Sequence, residues 1–157
     1  GGGAPGACQC NDAHLQRYVR RLSGPILDRF DLRVNVHRPG VEELLSHEPG
    51  ESSAVVAERV AEARRLAEER QGCLNSRLSG SRLDEFAPID DAGRAVLRYE
   101  LEHDRLSARG YHRIRRVARS LVDLRSAPSL QIDEEAIQVA LGLRASLNTT
   151  MRVGRVA

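Results

Sequence analysis

One stretch of strand-like alternation, followed only by helical periods, limits what this chain can become. In Asp31–His37, Leu32, Val34 and Val36 alternate with polar side chains, and Pro39-Gly40 closes the run. That two-residue period is the signature of a strand. After Gly50 the apolar residues recur at three- and four-residue spacing instead. A lone strand leaves its backbone donors and acceptors without a ladder partner. The pattern therefore predicts a mainly α fold. Either the strand packs on a sheet supplied from elsewhere, or the first forty residues are poorly ordered.

The helical part divides at local signals. Leu15, Tyr18, Val19 and Leu22 give a short helical period over Asn11–Leu22, which Ser23-Gly24-Pro25 breaks, and Ile26–Phe30 reads as one tight helical turn. Val41 to Pro49-Gly50 reads as a connector. Ser53–Gln71 carries a stripe of Val56, Val60, Ala63 and Ala67, with Gly72 placed for a C-terminal cap. A weaker segment, Arg82–Phe86, follows. Asp90 or Asp91 can cap the next helix, and Ser107 the one after it, whose apolar side is Tyr111, Ile114, Val117, Ala118, Leu121 and Leu124. Asp133 is placed to cap the last helix, with Glu134 and Glu135 in its first turn and Ile132 able to staple to Ile137. Residues beyond Leu143 read as a frayed tail. The expected division is a flexible start over 1–10, an α/β remnant over 11–40, a connector over 41–52, a helical bundle over 53–145 and a tail over 146–157.

Composition narrows the function classes. With 157 residues a chain can bury roughly 70% of its extended surface, enough for one core. No apolar run is long enough to span a membrane, and the opening GGGAPGA lacks a charged-then-apolar signal, so the expected location is cytoplasmic. The formal net charge of +2 is too small to argue for nucleic acid by itself. All 24 basic residues in the Lys+Arg count are arginine. Either the surface is rich in bidentate phosphate-binding forks, or the genome favours arginine codons. The three cysteines, Cys8, Cys10 and Cys73, do not make a disulfide framework.

Three blocks of residues then carry a resemblance. The first runs Arg17-Tyr18 and Arg21-Leu22-Ser23-Gly24-Pro25-Ile26-Leu27-Asp28-Arg29-Phe30-Asp31-Leu32. The second is Gly50-Glu51-Ser52-Ser53-Ala54, Arg59-Val60, Ala63-Arg64, Arg70-Gln71-Gly72 and Asn75. The third is Leu106-Ser107-Ala108-Arg109-Gly110-Tyr111-His112-Arg113-Ile114, Arg116-Val117-Ala118-Arg119 and Asp123-Leu124. Together, and in this order, they resemble the ComM group of magnesium-chelatase-like AAA+ ATPases over most of residues 8–145. One departure is Ala67, where relatives commonly place Gln.

The resemblance implies the helical lid of an AAA+ ATPase, preceded by a short helix-strand remnant of the α/β nucleotide-binding core. It implies a ring, expected to be hexameric, with ATP and Mg²⁺ at subunit interfaces. The partners are then the protein's own AAA+ core, neighbouring subunits and, through the parent protein, DNA. A G-x-x-x-x-G-K-[ST] loop is absent because the sequence contains no lysine, so this chain alone is expected not to hydrolyse ATP and to need no cofactor. Arg29 falls where the resemblance places an arginine finger, which stabilises charge on the transferring phosphoryl group. Its plainer reading is a pairing with Asp28, Asp31 or a helix end. Arg109 falls where the family has its sensor-2 arginine. The plainer reading is a solvated cation in a first helical turn, where the helix dipole disfavours it. Arg113, one turn on, can join the same phosphate site.

Arg116 and Arg119 read as a solvated face. Taken with Arg113, they also leave open a DNA recognition helix over 107–124. Cys8 and Cys10, with His14 as a third ligand, would make half a zinc site, and structural zinc needs four ligands. The parent is expected to couple ATP hydrolysis to DNA remodelling such as branch migration. The alternatives are metal insertion into a porphyrin and a stand-alone helical DNA-binding module.

Overall fold

The computed structural model describes residues 17, 26, 29–34, 36, 39–46, 49–125 and 129–152, with side chains for all of these except 43 and 145–152. The chain divides into two compact units, Gly1–Phe30 and Asp31–Ala157. In the first, the Arg29 N–H donates to the Ile26 carbonyl at 3.0 Å and closes a single turn, as the sequence suggests. The expected helix over Asn11–Leu22 lies, apart from helical Arg17, outside the described residues.

The second unit is built from helices. They are α1 (Val41–Leu45), α2 (Ser53–Gln71), α3 (Gly80–Phe86), α4 (Asp91–Glu102), α5 (Ala108–Asp123) and α6 (Glu134–Arg152), with a 3₁₀ turn over Asn75–Arg77. The fold is mainly α. The boundaries follow from local chemistry. The Ser52 hydroxyl accepts from the Val55 N–H, Asp90 from Gly93 and Ser107 from Gly110, each satisfying an orphan donor of a first turn. Asp133 does the same for Ala136 at 2.9 Å. Gly72 stops α2 in the left-handed conformation, φ 70°, donating its N–H to the Glu68 carbonyl at 2.8 Å.

The core lies where α4, α5 and α6 meet. Leu97 of α4, Ile114, Ala118 and Val122 of α5, and Ala136, Ile137 and Ala140 of α6 are buried together with Leu78, Leu83, Ala87, Ile89 and Ile132. The Ile132–Ile137 staple closes on the N-terminus of α6, and both side chains are wholly buried. Each buried isoleucine of this kind contributes about 1.5–3 kcal/mol through area removed from water. The loops before α4 and α6 are tied by a short parallel bridge. In it Asp90 N–H donates to the Ile132 carbonyl at 3.0 Å and Ile132 N–H to the Pro88 carbonyl at 2.8 Å.

Four expectations change. Residues 31–34 and 36 form no strand. Leu32, Val34 and Val36 are exposed, and the Arg33 N–H donates to the Leu143 carbonyl at 2.9 Å rather than to a neighbouring strand. An alternating pattern without a neighbouring edge cannot make a ladder, as the lone-strand argument requires. The stripe on α2 meets the bundle most closely at its C-terminal end, where Ala67 and Gln71 are buried, while Val60 and Ala63 are half-buried and Val56 stays exposed. The weak segment before Phe86 is a helix that starts at Gly80, two residues earlier than the periodicity indicated. The expected frayed tail is instead the continuation of α6, whose backbone stays helical to Arg152. Among the described residues, no helix is long and apolar enough to cross a membrane.

Candidate functional site

Helix α5 carries most of the residues singled out in the sequence, and its arginines divide by the face they occupy. Positions 111, 114, 115, 118, 119 and 122 make one inward stripe at three- and four-residue spacing. Arg115 and Arg119 lie on it, 3% and 1% exposed. The solvated-face reading of Arg116 and Arg119 is therefore corrected. The Arg116 Nε donates to the Leu78 carbonyl at 2.8 Å, beyond the 3₁₀ turn. The Arg119 guanidinium donates to the Ser129 and Leu130 carbonyls at 2.8 and 2.9 Å and to Asp123 Oδ1 at 2.7 and 3.0 Å.

Arg115 is a helix cap made by a side chain. Its guanidinium donates to the Leu83 and Ala87 carbonyls at 2.8 and 3.0 Å and to Asp84 Oδ1 at 2.6 Å, satisfying the carbonyls at the end of α3. A planar fork reaches several carbonyls at once where an ammonium would not. The abundance of arginine thus has a structural use here, whatever its genomic origin. It also removes the row of cations that a recognition helix needs.

A buried polar network explains several residues of the resemblance. The Asp123 carboxylate accepts from Arg70 at 2.8 and 2.9 Å, from Asn75 at 2.7 Å and from Arg119. Gln71 donates to Asn75 Oδ1 at 2.8 Å. Burial pushes the Asp123 carboxyl up, but the hydrogen bonds from Arg70 and Asn75 and the charge of Arg119 outweigh it and hold the carboxyl below its ordinary value. Burial likewise draws the Arg119 guanidinium below its usual range, against the opposing pull of Asp123. Arg70, Gln71, Asn75, Arg119 and Asp123 belong to this one network. It fastens the end of α2 to the end of α5.

The first turn of α5 is the place that faces outward. Arg109 is exposed there, and among the described residues it has no ion-pair partner. Gly110, next to it, is buried. A Cβ at that position would lie 2.8 Å from Leu106 Cδ1 and 3.4 Å from Arg144 Nη2. The missing side chain thus lets the Arg144 guanidinium from α6 approach the turn that carries Arg109. Sequence reasoning missed Arg144, since nothing local in the tail of α6 marks it. Guanidiniums beside the N-terminus of a sixteen-residue helix suit the oxygens of an anion such as phosphate. They do not suit a metal, and among the described residues no three His, Cys, Asp or Glu side chains converge on one point.

Arg113 sits one turn beyond Arg109 and is four-fifths buried. Its guanidinium is bonded to Asp31 at 2.5 Å, where Asp31 is 57% exposed. The two flank a groove of about 370 Å³ lined also by Leu32, Val117, Leu121 and Leu143. Arg29, in the other unit, is exposed at its turn. Cys8, Cys10 and His14 lie outside the described residues.

Comparison with known proteins bears on residues throughout this arrangement. Residues 50–144 match the family model described as magnesium chelatase, subunit ChlI C-terminal, and residues 2–44 match magnesium chelatase, subunit ChlI. The chain is 37% identical over 87% of its length to the uncharacterized protein YifB of Salmonella typhimurium, covering 27% of that protein. It is 34% identical over 90% of its length to the competence protein ComM of Haemophilus influenzae, covering 28% of it. An uncharacterized protein of Mycobacterium bovis is 42% identical over 84% of the chain, again with 27% of that protein covered. The chain thus spans about a quarter of the length of these relatives.

Proposed function

The chain belongs to the magnesium chelatase subunit ChlI family as a ComM-like member, and from that premise we propose that it is the lid and arginine-finger segment of a ring-forming AAA+ ATPase. The observation that carries this reading is the order of the two family matches, 2–44 then 50–144, which places Arg29 in the first and Arg109 in the second. In this account the nucleotide lies against residues outside this chain, and its γ-phosphate accumulates negative charge as it transfers. Arg29 is then the finger offered to a neighbouring subunit's nucleotide. Arg109 contacts phosphate from the first turn of α5, in keeping with its exposure there. Arg144 adds positive potential beside it. Mg²⁺ is held by residues outside this chain, because the cationic set around Arg109 would repel it.

For the whole protein we infer that ATP hydrolysis drives DNA remodelling, with branch migration as the specific activity. Support comes from the match to a relative named a competence protein. Metal insertion, which the family's own name suggests, is the second reading. The test is ATP turnover by the full-length protein with four-way-junction DNA, duplex DNA or a magnesium-porphyrin couple added. Stimulation by the junction alone supports the account. Stimulation by porphyrin alone sinks the DNA assignment while keeping the ATPase. No turnover under any condition removes the ATPase reading itself.

A further inference from the structure

The ion pair between Asp31 and Arg113 joins residues 82 positions apart, and it is not alone. Two residues on from Asp31, the Arg33 N–H donates to the Leu143 carbonyl of α6 at 2.9 Å. Between them, Leu32 lines the groove formed by Val117, Leu121, Leu124 and Leu143. The segment that follows Arg29 in sequence is therefore tied to α5 by the Asp31–Arg113 ion pair and to α6 by the Arg33–Leu143 backbone bond, with Leu32 lining the groove beside them. The ion pair is a contact that a competing anion can replace. Asp31 is more than half exposed, so its carboxylate can move into water, whereas the Arg113 stem is largely covered.

We propose that Asp31 is a positioning residue for Arg113: its carboxylate holds the guanidinium against the segment that follows Arg29, and nucleotide phosphate competes for the same guanidinium. This rests on the reading of Arg109 and Arg113 as phosphate contacts. Arg113 lies four residues after Arg109, so the two are neighbours on one helix surface. A polyphosphate bound at Arg109 carries more charge than one carboxylate and offers the bidentate oxygens that a guanidinium fits. Capturing Arg113 would loosen the 31–33 segment from the lid. Nucleotide state would in that way reach the segment bearing Arg29 through a single exchange of partners.

The test is a cycle of variants in the full-length protein, reading the Kd of a non-hydrolysable ATP analogue with Mg²⁺ and, separately, ATP turnover. Asp31→Asn keeps the size of the side chain and removes the competing charge. Binding is expected to tighten about three- to fivefold, the range of a partly exposed ion pair, while kcat falls. In an Arg113→Met background the same change is expected to leave Kd unmoved, and Asp31→Glu is expected to restore both values. A thermal melt establishes that each variant is folded. Tightening that persists without Arg113, or an Asp31→Asn protein with wild-type Kd and kcat, overturns the inference while leaving the ATPase reading in place. A wild-type protein that fails to bind the analogue overturns both.

Discussion

Replacing Asp123 with Asn changes no volume and removes one negative charge from the most enclosed polar cluster of the molecule. The carboxylate is 2% exposed and answers two guanidiniums and the Asn75 amide. Asparagine keeps one acceptor oxygen, so some hydrogen bonds survive. Its amide nitrogen, however, turns a donor towards Arg70 or Arg119, and Arg119 is 1% exposed, closed off from bulk solvent. Breaking a buried pair by removing one partner costs about 3–5 kcal/mol, chiefly the penalty of the uncompensated charge. We expect Asp123→Asn to lose about 3 kcal/mol, a large part of the roughly 5–15 kcal/mol that holds a domain folded. Urea unfolding should show a lower midpoint at unchanged slope. The melting temperature should fall by about 6–12 °C. The pH dependence has a definite sign. Because the folded-state carboxyl is held below its ordinary value, its contribution is complete above about pH 4 and disappears as pH falls through the folded pKa. The gap between wild type and Asp123→Asn should therefore narrow in acid. Equal urea midpoints at pH 7, or a gap that widens on acidification, would refute the assignment of Asp123 as the charged centre of the network.

Other changes probe other joints. Arg115→Met keeps the buried stem but strips the donors from the Leu83 and Ala87 carbonyls, with an expected cost of about 2–3 kcal/mol; amide exchange of α3 should accelerate before that of α5 does. Gly93→Ala should destabilise by about 1–2 kcal/mol in chemical denaturation even though alanine is the better helix former. The reason is that a Cβ there would lie 2.8 Å from Ile89 Cγ2 and 3.3 Å from Ile137 Cγ1, both on buried side chains. Arg109→Ala should change stability by less than about 0.5 kcal/mol, because the side chain is exposed, yet weaken nucleotide binding by the full-length protein about tenfold in fluorescence titration.

Where a structural decision is local, the sequence carried it. Gly72, Ser107 and Asp133 are read correctly, and Asp90 is the cap of the two aspartates left open, because each acts on backbone donors or acceptors within four residues of itself. The Ile132–Ile137 staple is legible for the same reason. Decisions that depend on distant partners were not. Arg115 and Arg119 lie at positions of the inward helical period, but an arginine is assigned to solvent unless its acceptors are known, and those acceptors are carbonyls of α3 and of the loop before α6. The only local hint was Asp123, four residues after Arg119. Alternation in 31–36 was genuine, yet a strand is a property of two segments, and the described residues supply one. Of the candidate site, Arg109 was singled out by the family resemblance, and the Ser107 cap made its place in a first helical turn legible. Asp31 and Arg144 were not, because each reaches α5 from far along the chain.

The most direct measurement of the central claim is ATP turnover by the full-length protein against its Arg29→Ala variant, with nucleotide affinity followed in parallel. The account predicts a loss of turnover of about a thousandfold or more, with nucleotide affinity little changed. Equal turnover in the two proteins would mean that Arg29 serves only its own turn, and the assignment of this segment to an ATPase interface would be contradicted at its centre.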